Sequence, residues 1–414
     1  MPDGSARGGR DLDVVLLGAT GYVGRLTALH LARSAPAGTR IALAGRSAER
    51  LQALRDELAA QHGAVAGWEL RTVDVTDRAA LDRLAAQTTA LATTVGPYAR
   101  QGLPVVLACA EAGTHYADLT GETLFARASV EAAHDTARAS GARVVHSCGF
   151  DSVPSDLGVR LVADAATADG TGTLGVTTLH VREIRGGFSG GTIDSLRQQQ
   201  VATAGRDDLR RTVADPEALT GGLALARGRR GHPVLTRDAA TGVWSAPFVM
   251  GGYNRQVVLR SDALRDGAYG PTFDYREVVD TAAGPLGAVA AAGAAVGQGA
   301  LIGAMGFAPG RAVLDRLLPA PGEGPSEAVR RRGRFRVEVE TTTTGGARYR
   351  ATVAAPYDPG YDGTAVMLGE AALALALDDL PDAAGVLTPM AGVGPGLADR
   401  LRPHRFEVGL RRLG

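Results

Sequence analysis

Three glycines spaced three apart, Gly18, Gly21 and Gly24, follow the apolar run Val14-Val-Leu-Leu17 and precede a helical pattern from Arg25 to Arg33. A strand feeding through such a turn into a helix can hold a dinucleotide pyrophosphate on its backbone. Gly18 permits the tight turn, Gly21 lets the main chain approach the phosphates, and Gly24 lets helix and strand pack closely. Thr20, Tyr22 and Val23 lie between them, where the helix N-terminus offers free N–H groups. In a chain with 56 glycines the spacing alone says little; its place between strand and helix gives it meaning.

Cofactor choice is read at the end of the second strand, where an acid would select NAD by binding the ribose 2′-hydroxyl. Here the segment is Ala44-Gly-Arg46-Ser47, with no acid. An arginine fork and a hydroxyl at a helix start suit a 2′-phosphate, which predicts NADP(H). Asp74, closing the third strand, meets the adenine amino group or caps the next helix. Two further loops should flank the nicotinamide: Thr94-Val95-Gly96-Pro97-Tyr98, and Ser147-Cys148-Gly-Phe-Asp151-Ser152. Gly96 removes side-chain bulk where the ring would lie. Asp118, Thr120 and Glu122 form a third polar group, and Ser152 or Ser155 can cap the helix that contains Asp156.

These loops require alternating strands and helices to position them, and the chain supplies them as far as about residue 150. Strands are expected at 41–44, 68–75, 91–95, 114–119 and 144–147, and helices from Ser47, from Thr76 or Asp77, and over 104–112 and 125–140. That alternation predicts a parallel sheet covered on both faces. Beyond Asp156 the pattern changes. Leu174 to Glu183 reads as a strand, Ser195 to Ala202 as a helix, and Arg206 to Thr241 as loop and short helix. Arg334 to Glu340 and Ala347 to Val353 form an antiparallel hairpin around Thr344-Gly-Gly346. The expected fold is α/β: an N-terminal doubly wound (Rossmann) NADP-binding domain over 1–150, then a mixed-sheet α/β substrate or dimerisation domain over 151–360. A C-terminal helix and tail, 361–414, would pack back on the first domain. From Thr281 to Gly310 no residue is charged. A buried helix or subunit-interface hairpin, lipid-surface association and a membrane span are the three readings of that segment.

Composition excludes several chemistries. All 44 basic residues are arginine, so lysine Schiff bases, pyridoxal-phosphate enzymes, Walker-A ATPases and Tyr-x-x-x-Lys dehydrogenases are out. A formal net charge of zero without a long basic run argues against nucleic acid. Cys109 and Cys148 match no disulfide framework or zinc spacing, and the eight histidines are dispersed, so no metal site is expected. The polar start, Met1 to Arg10, predicts no secretory signal and hence a cytoplasmic protein.

Taken jointly, Gly18-Ala-Thr-Gly-Tyr-Val-Gly24, Ala44-Gly-Arg-Ser47, Thr94-Val-Gly-Pro-Tyr98, Tyr116-Ala-Asp-Leu-Thr-Gly-Glu122 and Cys148-Gly-Phe-Asp-Ser-Val-Pro-Ser-Asp156 resemble the saccharopine dehydrogenase-like oxidoreductases. Within that family they are most similar to the trans-acting enoyl reductase branch of actinobacteria. Gly190-Gly-Thr192, Pro321-Gly-Glu-Gly-Pro-Ser326 and Gly385-Val-Leu-Thr-Pro389 extend the resemblance. It implies an NADP(H)-dependent reductase of an acyl-chain double bond left by a polyketide synthase, with the acyl group carried as a thioester. Hydride would go to the β-carbon, so the carbonyl oxygen needs donors and the α-carbon a proton. Tyr98 is the first candidate donor, with Ser147, Asp151, Ser152 and Tyr116 following. Val95, Gly96, Pro97, Tyr98 and Cys148 join the glycine loop, Arg46, Ser47 and Asp74 as expected cofactor contacts. The apolar 281–310 segment would then line an acyl entry or touch a membrane surface, and the exposed second sheet would serve a homodimer. A C=N or C=O reductase of a soluble metabolite, and a non-catalytic lipid-associated nucleotide-binding protein, are the alternatives.

Overall fold

A computed structural model describes residues 9–186, 190–223, 233–239, 241–307, 309–310 and 324–413. Most of the polar N-terminal stretch, Pro321 to Glu323, and part of the Arg206–Thr241 loop lie outside the described residues.

The first sheet is built from β1 (Leu12–Leu17), β2 (Ile41–Gly45), β3 (Glu69–Thr72), β4 (Thr88–Thr93), β5 (His115–Ala117) and β6 (Arg143–Val145), all parallel. Their order, β3-β2-β1-β4-β5-β6, reverses direction between β1 and β4, where ligands bind in such sheets. Between the strands run α1 (Tyr22–Ser34), α2 (Ala48–Ala59), α3 (Arg78–Ala86), α4 (Tyr98–Ala112) and α5 (Thr123–Ser140). Every residue of β1 is buried, because its pleat serves two cores. Val14 and Leu16 pack with Leu31 of α1 and Leu54 of α2, while Val15 and Leu17 pack with Leu81 of α3 and Val106 of α4.

Of the boundaries that differ from the sequence reading, two have a cause visible in the structure. α4 begins at Tyr98, six residues before Pro104, because the Glu122 carboxylate accepts the Tyr98 and Ala99 N–H groups at 3.1 and 2.8 Å. That is a cap supplied from another loop, invisible in the local sequence. β6 ends at Val145, short of Ser147, whose φ of 65° turns the chain out of the sheet.

α6 (Val153–Ala168) leads into the second sheet, made of β7 (Leu174–Arg185), β8 (Thr236–Arg237), β9 (Val243–Pro247), β10 (Asp274–Ala283), β11 (Arg334–Thr343) and β12 (Arg348–Ala355). β7 and β10 pair in parallel and the other pairings are antiparallel. α7 (Gly190–Thr203), α8 (Asp207–Ala214) and α9 (Gly251–Ala263) fall between β7 and β10. α6 lies close on this sheet: a Cβ at Gly158 would stand 2.5 Å from Val339. The opposite face carries charge, with Arg182 paired to Asp280, Glu338 and Glu340.

α10 (Gly284–Met305) is neither the core helix nor the hairpin that one reading of 281–310 expects. It is one continuous helix lying outside the core, with Leu286 and Val296 exposed by 83% and 72%. Alanine and glycine present too little apolar surface to drive it inward. It rests on β9 through Gln298, which donates to the Pro247 carbonyl at 3.0 Å. Among the described residues it is the one helix long and apolar enough to cross a membrane.

After α11 (Glu327–Arg330) and the β11–β12 hairpin, α12 (Thr364–Leu377) packs on α1 and β4. β13 (Gly385–Leu387) adds a seventh parallel strand beside β6, and β14 (Glu407–Arg412) pairs with β12 of the other sheet. The last stretch of chain therefore contributes a strand to each sheet.

The closest backbone approach in the first βα unit yields a stability prediction. A Cβ at Gly24 would stand 2.2 Å from the Gly18 carbonyl oxygen and 2.9 Å from Ala19 Cα. Neither atom can yield without moving the loop off β1, so Gly24→Ala should cost about 3 kcal/mol. A urea midpoint equal to that of the unsubstituted protein would contradict this packing.

Candidate functional site

A cleft of about 550 Å3 opens where the parallel strands end and the sheet order reverses. It runs from the β1–α1 loop, past the ends of β2, β3 and β4, to the loop after β6. α7, the short turn Pro359–Gly363 and the start of α12 roof it through Gly191, Asp194, Ser195, Leu196, Tyr361 and Thr364.

At one end the backbone is shaped for a pyrophosphate. Gly18 has φ +85°, and a Cβ there would stand 2.8 Å from Thr94 Oγ1 and from Val95 Cγ2. α1 starts directly after Gly21 with no side-chain cap, so the N–H groups of its first turn face the cleft without an intrahelical acceptor. Tyr22 and Val23 line the cleft beside Thr20 and Gly21. Tyr22 is held from behind: its hydroxyl donates to the Pro325 carbonyl at 2.5 Å and accepts from Arg330, and its ring meets Tyr361 edge-on at 4.9 Å.

Arg46 lines the cleft at the end of β2, and Arg50 joins it from the first turn of α2. Arg50 was not singled out by the sequence reading. Its signal was available, since four residues separate it from Arg46 and one helical turn brings such residues to the same side. Two exposed guanidinium groups fit a ribose 2′-phosphate. Asp74 also lines this end, its carboxylate accepting from the Thr76 N–H and hydroxyl at 2.9 and 2.8 Å. Those bonds, with Arg46 nearby, hold Asp74 below the usual carboxylate range. Ser47 lies outside the lining; its hydroxyl accepts the Arg50 N–H at 3.2 Å and caps α2. The residues present thus fit an NADP(H) molecule.

At the other end lie Val95, Gly96, Pro97, Leu119, Thr120, Ser147, Asp151 and Met250. A Cβ on Gly96 would meet nothing within 4 Å, so no protein atom demands glycine there. Ser147 is set by three contacts. Asp118 Oδ1 accepts its N–H at 2.9 Å, its hydroxyl donates to the Thr120 carbonyl at 2.8 Å, and Tyr253 of α9 lies 2.7 Å from the same oxygen. With its own proton on Thr120, Ser147 Oγ accepts from the Tyr253 hydroxyl. Burial is the main cause pushing that phenol above its ordinary value, so it stays a donor. Tyr253 was missed in the sequence because it is far from Ser147 along the chain and carries no motif.

Asp118 anchors this end from beneath. Its Oδ2 accepts from Tyr116 at 2.9 Å and lies 2.7 Å from His146 Nδ1, while His146 Nε2 meets the Ser129 hydroxyl at 2.7 Å. Tyr116 is therefore a buried support and not a cleft residue. Glu122 caps α4 and takes the Ser195 hydroxyl at 2.9 Å, tying α7 to the Rossmann side. Burial raises its carboxyl above the usual range.

Beyond Ser47 and Tyr116, three more expected site residues play other parts. Tyr98 borders the cleft, but its phenol donates to the Thr93 carbonyl at 3.1 Å and accepts from the Leu119 N–H at 3.2 Å. Burial, then the Asp118 charge, pushes it well above its ordinary value. It is a brace between two strand ends. Ser152 is fully buried and donates to Asn254 Oδ1 at 3.0 Å, away from the cleft. Cys148 is also fully buried, its Sγ 3.7 Å from the Val145 carbonyl. Both follow the φ-positive turn at Ser147, which sends the chain back into the core.

Tyr98→Phe should therefore leave kcat within about threefold while costing about 1–3 kcal/mol, because the Leu119 N–H and Thr93 carbonyl lose their partner. A hundredfold kcat loss at unchanged stability would return the phenol to the chemistry.

Comparison with known proteins agrees with this geometry. Residues 14–145 match the saccharopine dehydrogenase NADP-binding domain. The chain is 46% identical to a Mycobacterium tuberculosis protein over 98% of both lengths. It is 43% identical to the trans-acting enoyl reductase of Mycobacterium ulcerans, covering 98% of this chain and 99% of that one. Among solved structures, saccharopine dehydrogenase (L-Glu forming) from Saccharomyces cerevisiae superposes with a TM-score of 0.53 at 14% identity, covering 97% of this chain and 99% of that one. This last likeness concerns the fold.

Proposed function

The chain belongs to the saccharopine dehydrogenase-like family, in its trans-acting enoyl reductase group, and is an NADP-dependent oxidoreductase; from that premise we propose that it reduces the C=C bond of a conjugated acyl thioester made by a polyketide synthase. One observation carries the substrate class. The cations lining the described cleft, Arg46 and Arg50, both stand at its nucleotide end. A zwitterionic amino-acid substrate would need a cation at the reacting end to pair its carboxylate. A neutral acyl thioester needs none, and Val95, Leu119, Leu196 and Met250 offer it apolar walls.

Bound NADPH supplies the hydride. The protein's part is to place the enoyl group beside Gly96, exclude water under the α7 roof, and stabilise charge gathering on the thioester oxygen. Ser147 serves that last purpose: turning its proton from the Thr120 carbonyl to the substrate oxygen keeps Oγ supported by the Tyr253 hydroxyl. Asp151, from the same loop, faces the cleft and orients the water that protonates the α-carbon. The distal acyl carbons leave past Leu196 toward α10, which contacts α7 and exposes its apolar side chains.

Asp151 and Asp194 favour a second reading, because two carboxylates at the reacting end would also receive a cationic imine. A panel pairing α,β-unsaturated acyl thioesters with imines formed from soluble aldehydes and amines separates the two. NADPH consumption with the thioesters alone supports the enoyl reading. Consumption with the imines alone overturns it.

A further inference from the structure

Two histidines and a glutamate that lie far apart in the sequence converge on one point between α1 and the C-terminal segment. Glu370 of α12 presents Oε1 to His30 Nε2 of α1 at 2.8 Å and to His404 Nε2 at 3.0 Å. All three ligand atoms lie within 4.8 Å of one another. We propose that His30, Glu370 and His404 form a divalent-metal site of the zinc class, with water as the fourth ligand, that clamps the C-terminal segment onto the first βα unit.

The donor set is that of a three-ligand zinc site, in which nitrogen and carboxylate oxygen lie about 2.0–2.2 Å from the ion. Ligand atoms around such an ion stand roughly 3.3 Å apart, so the two carboxylate–imidazole spacings of 2.8 and 3.0 Å need only a few tenths of an ångström of opening. The surroundings fix the ligands as the outer partners of metal sites do. Arg400 donates to Glu370 Oε2 at 3.1 Å and is itself held by Asp378, which leaves Oε1 free to face the two imidazoles. The His30 ring lies on the backbone of Gly369, where a Cβ would stand 2.6 Å from its Cδ2. The Ser34 hydroxyl is 3.4 Å from His30 Nδ1, on the side away from the carboxylate. His30 and Glu370 are buried, whereas the His404 side chain is a quarter exposed, which gives an ion a path in and a water a place to bind.

The position gives the site a consequence. α1 begins at the pyrophosphate-binding turn, α12 opens at Thr364 on the cleft, and the short turn Arg402–His404 leads into β14 of the second sheet. One ion would therefore tie the cofactor helix to elements serving both sheets. Sequence spacing concealed it, since the ligands share no helix or loop.

The experiment uses the full-length protein and zinc itself. Metal content is measured by plasma mass spectrometry after dialysis, and thermal unfolding is followed after chelator treatment and after zinc is restored. We expect about one zinc per chain, a lower Tm after chelation and its recovery with zinc. Cobalt(II) in place of zinc should give the visible d–d bands of a four-coordinate site. His404→Gln, chosen because it is the most exposed ligand, should weaken zinc binding by about 100-fold or more while leaving NADPH binding intact. Glu370→Gln separates the site from a plain hydrogen-bonded triad. A glutamine oxygen can still accept from both histidines, but its NH2 then faces Arg400, so stability falls with or without a metal. The deciding readout is the zinc-dependent Tm shift, which the unsubstituted protein shows and Glu370→Gln loses if the site binds metal, and which neither shows if it is a plain triad. Zinc below about 0.1 per chain with no Tm shift on addition overturns the proposal. So does a zinc-induced shift of equal size in His404→Gln.

Discussion

Replacing Ser147 with alanine is expected to lower kcat on an acyl thioester by about 100-fold, with the Kd for NADPH changed by less than about twofold. The size follows from the environment of the hydroxyl. Ser147 sits at the reacting end of the cleft, in a left-handed backbone conformation held by the Asp118 carboxylate. Its proton has an alternative acceptor in the Thr120 carbonyl and its lone pair a donor in Tyr253. A donor fixed before the reaction, in a place largely free of water, acts mainly on the transition state, so kcat falls and cofactor binding does not. Tyr253→Phe should show a smaller loss in the same direction, about tenfold, because it polarises Ser147 without touching the substrate. Steady-state kinetics with fluorescence titration of NADPH measure both quantities. A Ser147→Ala variant with unchanged kcat would remove the hydroxyl from the mechanism.

The second large effect concerns cofactor choice. The Arg46→Ala, Arg50→Ala double variant should raise the Kd for NADPH by about 100-fold, roughly tenfold for each guanidinium, or about 1.4 kcal/mol apiece. Binding of NADH should move by less than about twofold, since it has no 2′-phosphate for either residue to meet. Both arginines are exposed beside the ribose end of the cleft, which keeps each contribution near the lower end for charge-assisted bonds. Calorimetry with both dinucleotides decides the point. Equal weakening of NADPH and NADH would mean that the pair shapes the loop and does not read the phosphate.

How much of this was legible in the sequence depended on how local each signal was. The strand–glycine–helix unit from Leu12 to Ser34 is a short-range pattern, and the apolar run, the φ-positive Gly18 and the close approach at Gly24 all lie within it. Arg46 was equally readable from its place after β2. Arg50 could have been read with it by helical spacing. The roles of Tyr98 and Cys148 were not readable, because they depend on which way a side chain turns once Ser147 has bent the chain. Nor was Tyr253, which reaches the site only when α9 packs against α6 and β10. The start of α4 failed for the same reason: Glu122 supplies its cap across space. The second sheet was legible as a hairpin at β11 and β12. Its parallel β7–β10 pair and the split of the last strands between the two sheets are long-range pairings that no window of sequence encodes.

The apolar segment from Thr281 to Gly310 shows the limit from the other side. Composition stated correctly that it lacks charge, yet composition does not say whether a helix of small residues lies inside or outside. In the fold it lies outside, next to the α7 roof of the cleft. That places apolar surface where a long acyl chain would emerge, a feature a soluble amino-acid substrate does not require.

The central claim is that hydride passes from NADPH to an acyl carbon–carbon double bond. Its most direct test is to supply NADPH carrying deuterium at the transferable C4 position, together with α,β-unsaturated acyl thioesters and imines in one mixture, and to identify the deuterated product by mass spectrometry. The account predicts one deuterium on the β-carbon of the saturated thioester. Deuterium on a former imine carbon or on a carbonyl carbon, with the enoyl thioesters unchanged, would contradict it.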